Sequence, residues 1–424
     1  MKKYFIYITA ALVLGTTACN NDYLNPSTAS EQQVVTDQAG LIAMVNGLQQ
    51  KFSISRASAM YAYISANGLT TKELVNLNVG NTDEQNLQSG TTAVQGNNSV
   101  VTNLWNQSHL VKANADLVIK NIDNAKDATV KSGILAYAHF YRALALGTLA
   151  QFFEQAPIAV GTNATFSPRA DVLKEAVASL TAAAKALNDN PPSAKFTGSV
   201  VMPLASAKNG IGALLARYNL MLGNYDAAIA AANTVDLTVK AGFAFDDLSR
   251  NPLFETSFSN RNVTESTPDF GLPTALIPDK ADGRRAFYYN TTAGLNAARA
   301  SFFTANGSVI PVYLPGEMLL IKAECSARKG ALDDAITELN KVLTKKNDVW
   351  GVNAGLAAYA GDKTANAVLD EIYRQRCIEL FLSGLRLEDS RRFNRPQAER
   401  TRNYYPYPLT ERNNNTSTPA DPAS

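Results

Sequence analysis

The densest run of ionisable side chains in the chain is Glu379, Arg386, Asp389, Arg391 and Arg392. Carboxylates beside guanidiniums can act as acid and base, or can hold one helix to its neighbours as ion pairs. Their dense local spacing favours the second use, so no catalytic residue is expected here. The two histidines, His109 and His139, lie far apart and outside any H-E-x-x-H spacing, which points to structural roles. Cys325 and Cys377 belong to no C-x-x-C pattern and read as buried free thiols, with a disulfide between them left open. The stretch Asp279, Lys280, Ala281, Asp282, Gly283 lacks the alternating oxygens and closing glutamate of a calcium loop. No Walker loop, G-x-G-x-x-G or G-x-S-x-G is present, so neither metal nor cofactor is expected. Carboxylate pairs for glycoside cleavage are set by spatial separation, and nothing in the sequence points to one.

Ligand capture is a different chemistry. It needs flat aromatic faces and a few Asn, Gln or Arg groups on a largely preformed surface. Of the two tryptophans, Trp105 falls in a helical pattern and reads as core, while Trp350 lies in a long connection and is a candidate contact. Tyr288 and Tyr289 sit in a large insertion and are candidates too, as are Tyr61 and Tyr63. Local loop packing is the alternative use of each.

These side chains must be held by a helical frame. Ile134, Tyr137, Tyr141 and Leu144 recur at helix spacing, as do Ile211, Leu214, Leu215, Tyr218 and Leu222. The stretch from Ile134 to Phe153 is apolar nearly all round, which predicts a central buried helix. Strand alternation is scarce, so the fold class is all-α. Two segments repeat: LLARYNLMLGNYDAAIAAANTV near residue 214, and EMLLIKAECSARKGALDDAITELNKV from Glu317. Gly223 aligns with Gly330, Asp226 with Asp333 and Ala228 with Ala335. The pattern resembles tetratricopeptide helical hairpins: a glycine closes the first helix, an aspartate opens the second, and a small residue permits close approach. Three segments, 70–99, 236–308 and 345–367, read as long loop insertions on this scaffold, and long loops commonly carry function.

The N-terminus carries an address. Lys2 and Lys3 precede an apolar run from Tyr4 to Leu14 that is too short to span a membrane. Gly15, Thr16, Thr17, Ala18 and then Cys19 follow, so residues 1–18 read as a signal peptide. The small residues ending at cysteine resemble a bacterial lipobox, in which Cys19 would be the acylated, palmitate-bearing first residue. Residues 19–33 read as a tether, 34–412 as a single helical domain, and 413–424 as a disordered tail. Without Lys2 and Lys3 the 39 basic residues fall to 37, which equals the acidic count. A chain of zero net charge with no basic patch argues against nucleic-acid binding.

Motifs in order now carry a family resemblance. DYLNPST at Asp22–Thr28 comes first, then LWNQSHLVKANADLVIKNID at Leu104–Asp123 and LAYAHFYRALALGTLAQFFEQAPI at Leu135–Ile158. The two hairpins follow, then IYRQRCIELFLSGLRLEDSRRF at Ile372–Phe393 and YPYPLTERNNN at Tyr405–Asn415. Together they resemble the SusD/RagB family of surface nutrient-binding lipoproteins. Arg374, Arg376, Glu379, Leu380, Gly384, Arg386, Asp389, Arg391 and Arg392 keep that family's arginine-rich motif, while Ser383 replaces its glutamate. The resemblance implies a SusD-like helical fold on the outer face of the outer membrane, with no enzymatic activity. It implies a SusC-type TonB-dependent transporter as partner and an oligosaccharide, or less often a peptide, as ligand. It also places Tyr288 and Tyr289 where family members often contact ligand. Two competing readings are a structural partner of the transporter that touches no ligand and, on no particular residue, a surface glycoside hydrolase.

Overall fold

Apolar spacing at the helical period, closed by side-chain caps, sets the first elements of the chain. The structure, a computed structural model, describes residues 34–259, 262–289 and 301–423. The signal peptide, Cys19 and the tether to residue 33 lie outside the described residues. Helix α1 (Gln38–Ser53) is capped by the Asp37 carboxylate. Helix α2 (Ala59–Thr70) leads to β1 (Leu74–Asn76) and the short α3 (Thr82–Ser89). Helix α4 (Ser99–Lys120) starts at Asn98, whose side chain accepts from the N–H groups of Val100 and Val101. Helix α5 (Ala128–Phe152) is capped in the same way by Asp127 and is buried on nearly every face, as its apolar sequence predicts. Gly147 on α5 lies under the Tyr218 ring, where an added Cβ would come within 2.0 Å of Cζ.

After α5 the chain forms the hairpin β2 (Gln155–Pro157) and β3 (Phe166–Pro168), then α6 (Arg169–Asp189) and the one-turn α7 (Ala194–Thr197). The first repeated hairpin is α8 (Leu204–Leu222) with α9 (Tyr225–Ala232). The second is α11 (Pro315–Arg328) with α12 (Leu332–Leu343). Between them lie β4 (Gly242–Phe243), β5 (Thr264–Ser266), α10 (Gly283–Tyr288) and β6 (Ile310–Pro311). Helix α13 (Ala365–Glu379), α14 (Arg386–Arg392) and α15 (Leu409–Asn414) complete the chain.

The repeat read from sequence closes both hairpins with one hydrogen-bond pattern. Gly223 (φ +77°) and Gly330 (φ +83°) take the left-handed conformation. Asn224 N–H donates to Asn219 O and Gly223 N–H to Leu220 O; Ala331 donates to Ser326 O and Gly330 to Ala327 O. These are Schellman closures, in which the last free carbonyls of the first helix are satisfied. Ala228 and Ala335 are fully buried, and α9 of the first hairpin packs on α11 of the second.

The three insertions are not free loops. The first two are joined where β1 pairs with β5, Leu74 opposite Ser266 and Asn76 opposite Thr264. The third runs without regular structure until α13 begins. The tail departs from expectation. Residues 413–423, read as disordered, are folded back onto the body. Asn415 Nδ2 donates to Ala164 O (3.0 Å), Thr416 N–H to Asn163 Oδ1 (2.9 Å) and Tyr407 N–H to Asp421 Oδ1 (2.9 Å). Those partners on the β2–β3 loop are about 250 residues away in sequence, so local composition gave no sign of them.

Candidate ligand-binding surfaces

The charged motif on α13 and α14 is a buried clamp. Arg376 donates to both carboxylate oxygens of Asp389 at 2.8 and 2.9 Å. Arg392 donates twice to Glu324 on α11, at 2.8 and 3.0 Å, and once to Asp389 at 2.7 Å. Arg386 donates to Phe270 O at 2.6 Å, tying α14 to the large insertion. Burial works to raise the Glu324, Glu388 and Asp389 pKa values, but the surrounding guanidiniums outweigh it and hold all three below the carboxylate range. Glu379 is fully buried and pairs with Arg284 (3.1 Å) and with Lys345. Asp282, from the stretch weighed as a calcium loop, caps α10 and pairs with Arg284. Each of these carboxylates is enclosed and paired, so none is presented to a substrate. Cys325 and Cys377 are free and buried, and burial pushes both thiols up to about 12.

The aromatic candidates fare unevenly. Tyr288 is fully buried, with its hydroxyl donating to Glu379 O (2.8 Å), and Tyr61 is only 1% exposed. As placed, neither ring can meet a ligand, because each packs into the core instead of standing on a loop surface. Tyr289 is half-buried and edge-on to Phe270, with ring centroids 5.0 Å apart. Trp350 is half-buried against Phe302, and Lys240 Nζ lies 5.3 Å from its ring centre. Tyr63 presses on Gly384 and lines a cavity of about 40 Å³ with Gln151, Arg217, Phe302, Glu317 and Ser383. That volume holds roughly three waters and no sugar ring. Gln151 Oε1 and Ser383 Oγ, buried and without a protein partner, suit such water.

Two open surfaces have the right chemistry for capture. The first is a corner where the first two insertions meet. Asn76 Nδ2 donates to Gln85 Oε1 (3.0 Å) and Asn78 Nδ2 to Asn262 Oδ1 (3.3 Å), so these carboxamides fix one another, and Asn81 Nδ2 donates to the main-chain O of Asn262 (2.9 Å). The second is a groove of about 970 Å³ between α4, the loop joining β2 to β3, and α15. Its floor rests on Trp105, which is 1% exposed and ringed by Phe153, Phe166 and Tyr407 at 4.8, 5.8 and 5.6 Å. Leu110 and Val160 reach its surface at 36% and 66% exposure, beside Asn106, Gln107 and Asn163. His109 lies tilted against Trp105, ring centres 4.5 Å apart, and burial, with a smaller push from Lys112, lowers it to about 3, so it is neutral. Sequence reasoning missed this groove. Its one local sign is the outward stripe Asn106, Leu110 and Ala113 at helical spacing, opposite the buried face of α4.

With the geometry in place, comparison with known proteins bears on the C-terminal third and on the fold. Residues 280–422, which include α13, α14 and the tail, match the SusD family model. The SusD fold extends over the whole frame. A SusD superfamily protein from Bacteroides thetaiotaomicron superposes with a TM-score of 0.70 at 14% identity, covering 91% of this chain and 98% of its own. A SusD-like carbohydrate binding protein from Bacteroides vulgatus gives 0.67 at 17% identity, covering 85% and 84%. A SusD-like carbohydrate binding protein from Bacteroides fragilis gives 0.66 at 15%, covering 91% and 99%. At these identities the superpositions establish the fold. No protein in the curated set matches the chain. The mostly helical SusD-like architecture read from sequence therefore stands. No helix among the described residues is long and apolar enough to cross a membrane.

Proposed function

We propose that this chain is a non-catalytic nutrient-binding lipoprotein, anchored in the outer membrane through Cys19 and facing the cell exterior. It captures an oligosaccharide and hands it to a SusC-type TonB-dependent transporter. The observation that carries the reading is the SusD fold over about nine-tenths of the chain, with an open, largely apolar groove edged by carboxamides on its surface. Two of the similar structures are SusD-like carbohydrate binding proteins, and the proposal extends that ligand class to this chain. The paired, enclosed carboxylates of the α13–α14 clamp support binding without cleavage. Lipid anchoring agrees with the small-residue run before Cys19.

The test is isothermal calorimetry on residues 20–424 against a panel of glycans and short peptides. Micromolar affinity for a glycan, with no reducing ends released, is the expected result. Silence across both classes from a folded protein overturns nutrient capture, and binding of peptides alone replaces the ligand class. Cys19→Ser is expected to release the protein from the outer-membrane fraction. Co-purification with a large barrel protein tests the transporter partner.

A further inference from the structure

The groove between α4, the β2–β3 loop and α15 has a chemistry of its own. Its volume, about 970 Å³, is at the upper end for ligand sites, and it is open to solvent. Leu110, Ala113 and Val160 give it apolar surface suited to the C–H faces of sugar rings. Asn106 and Gln107 stand at its edge, and among the described residues their carboxamides have no partner within the chain. A carboxamide offers a donor and an acceptor side by side, which matches a pair of neighbouring hydroxyls.

The groove's lysine is already paired, and its carboxylate is held by neutral donors. Lys112 Nζ donates to Asp116 (3.0 Å) and to Ile158 O (2.6 Å) and is 1% exposed. Glu411 accepts from Trp105 Nε1 (3.2 Å) and from Asn415 Nδ2 (2.8 Å). An anionic ligand would lose its hydration and meet no free cation, while both oxygens of the carboxylate that a cation would need already accept from Trp105 and Asn415. The groove also offers side-chain carboxamides in place of a free strand edge, which is what an extended peptide would use. The wall supplied by the tail is fixed: Thr416 N–H and Asn415 Nδ2 bind Asn163 Oδ1 and Ala164 O across it. A fixed site gains affinity because little ordering is left to pay for on binding.

We infer that this groove is the ligand site and that its ligand is a neutral, unbranched oligosaccharide lying along α4. The inference rests on the nutrient-binding reading above and narrows it to one surface and one chemistry.

The experiment uses residues 20–424 and calorimetry with maltoheptaose, cellohexaose, xylohexaose and laminarihexaose. Oligogalacturonate serves as the charged probe and a mixed pentapeptide as the peptide probe. Three variants are compared with the parent: Asn106→Ala with Gln107→Ala, Val160→Asp, and Asn78→Ala with Asn81→Ala at the insertion corner. All alter surface or loop positions, and circular dichroism checks that each is folded. The expected result is binding of at least one neutral glycan, weakened at least tenfold by both groove variants and unchanged by the corner variant. Protection of residues 157–164 from hydrogen exchange by that glycan is the matching structural signal. Neutral-glycan binding that survives both groove variants, or that only the corner variant removes, overturns the groove while leaving nutrient capture standing. Binding of oligogalacturonate or peptide alone overturns the ligand class. Silence towards every probe overturns the underlying reading as well.

Discussion

Asp389→Asn tests whether the arginine-rich motif is a structural clamp. Asp389 is 2% exposed and accepts three charge-assisted hydrogen bonds, at 2.8 and 2.9 Å from Arg376 and 2.7 Å from Arg392. Each such bond contributes about 1.5–3 kcal/mol. Asparagine keeps one acceptor oxygen but removes the negative charge. It also turns an amide towards two guanidiniums that cannot deprotonate. Removing one partner of a buried pair costs about 3–5 kcal/mol, because the remaining charge stays desolvated. A loss of about that size is therefore expected in urea denaturation followed by tryptophan emission. Replacing Arg376 by Met in the same background should cost less than the sum of the two single changes, by about 1 kcal/mol or more. The coupling is incomplete because Arg392 still faces position 389. If Asp389→Asn unfolds within about 0.5 kcal/mol of the parent, or if the two changes simply add, the clamp reading is wrong.

Other consequences follow from the same geometry. Gly384→Ala is expected to cost about 2–5 kcal/mol, since the residue has φ +79° and its new Cβ would lie 2.3 Å from Tyr63 Cδ2; a thermal midpoint equal to the parent's would refute this. Stability should fall on acidification. Glu324, Glu388 and Asp389 have folded pKa values below their unfolded ones, so their contribution is full above about pH 5 and is lost as pH drops through the folded values. Glu73 opposes this in part, because burial raises its pKa, but it is one group against three; urea midpoints that rise between pH 6 and pH 3 would contradict the sign. Cys325 and Cys377, buried with pKa near 12, should resist Ellman's reagent in the native protein and react only after unfolding; rapid labelling at pH 8 would show that the surrounding core opens.

What was legible in the sequence was whatever is fixed within a few residues. Gly223 and Gly330 could be aligned because a Schellman closure is a local arrangement, and the two sites share its hydrogen bonds. The burial of α5 could be read because no face of it carries a continuous polar stripe. The structural use of the arginine-rich motif was legible from its density, although its partner Glu324 lies 68 residues from Arg392 and had no signal of its own. The aromatic candidates show where such reasoning stops. An insertion rich in aromatics can expose them or use them to seal itself onto a distant core. Tyr288 does the second, and its partner Glu379 is 91 residues away. The tail failed for the same reason, since its polar run is ordered by Asn163 and Ala164. The groove combines both limits. Trp105 was rightly read as core, yet the surface above it exists only because the β2–β3 loop and α15 come to its two sides. A surface assembled from three such separated segments leaves no periodic trace in any of them. That is why residue type picks out single aromatics and gives no sign of the open groove proposed above as the ligand site.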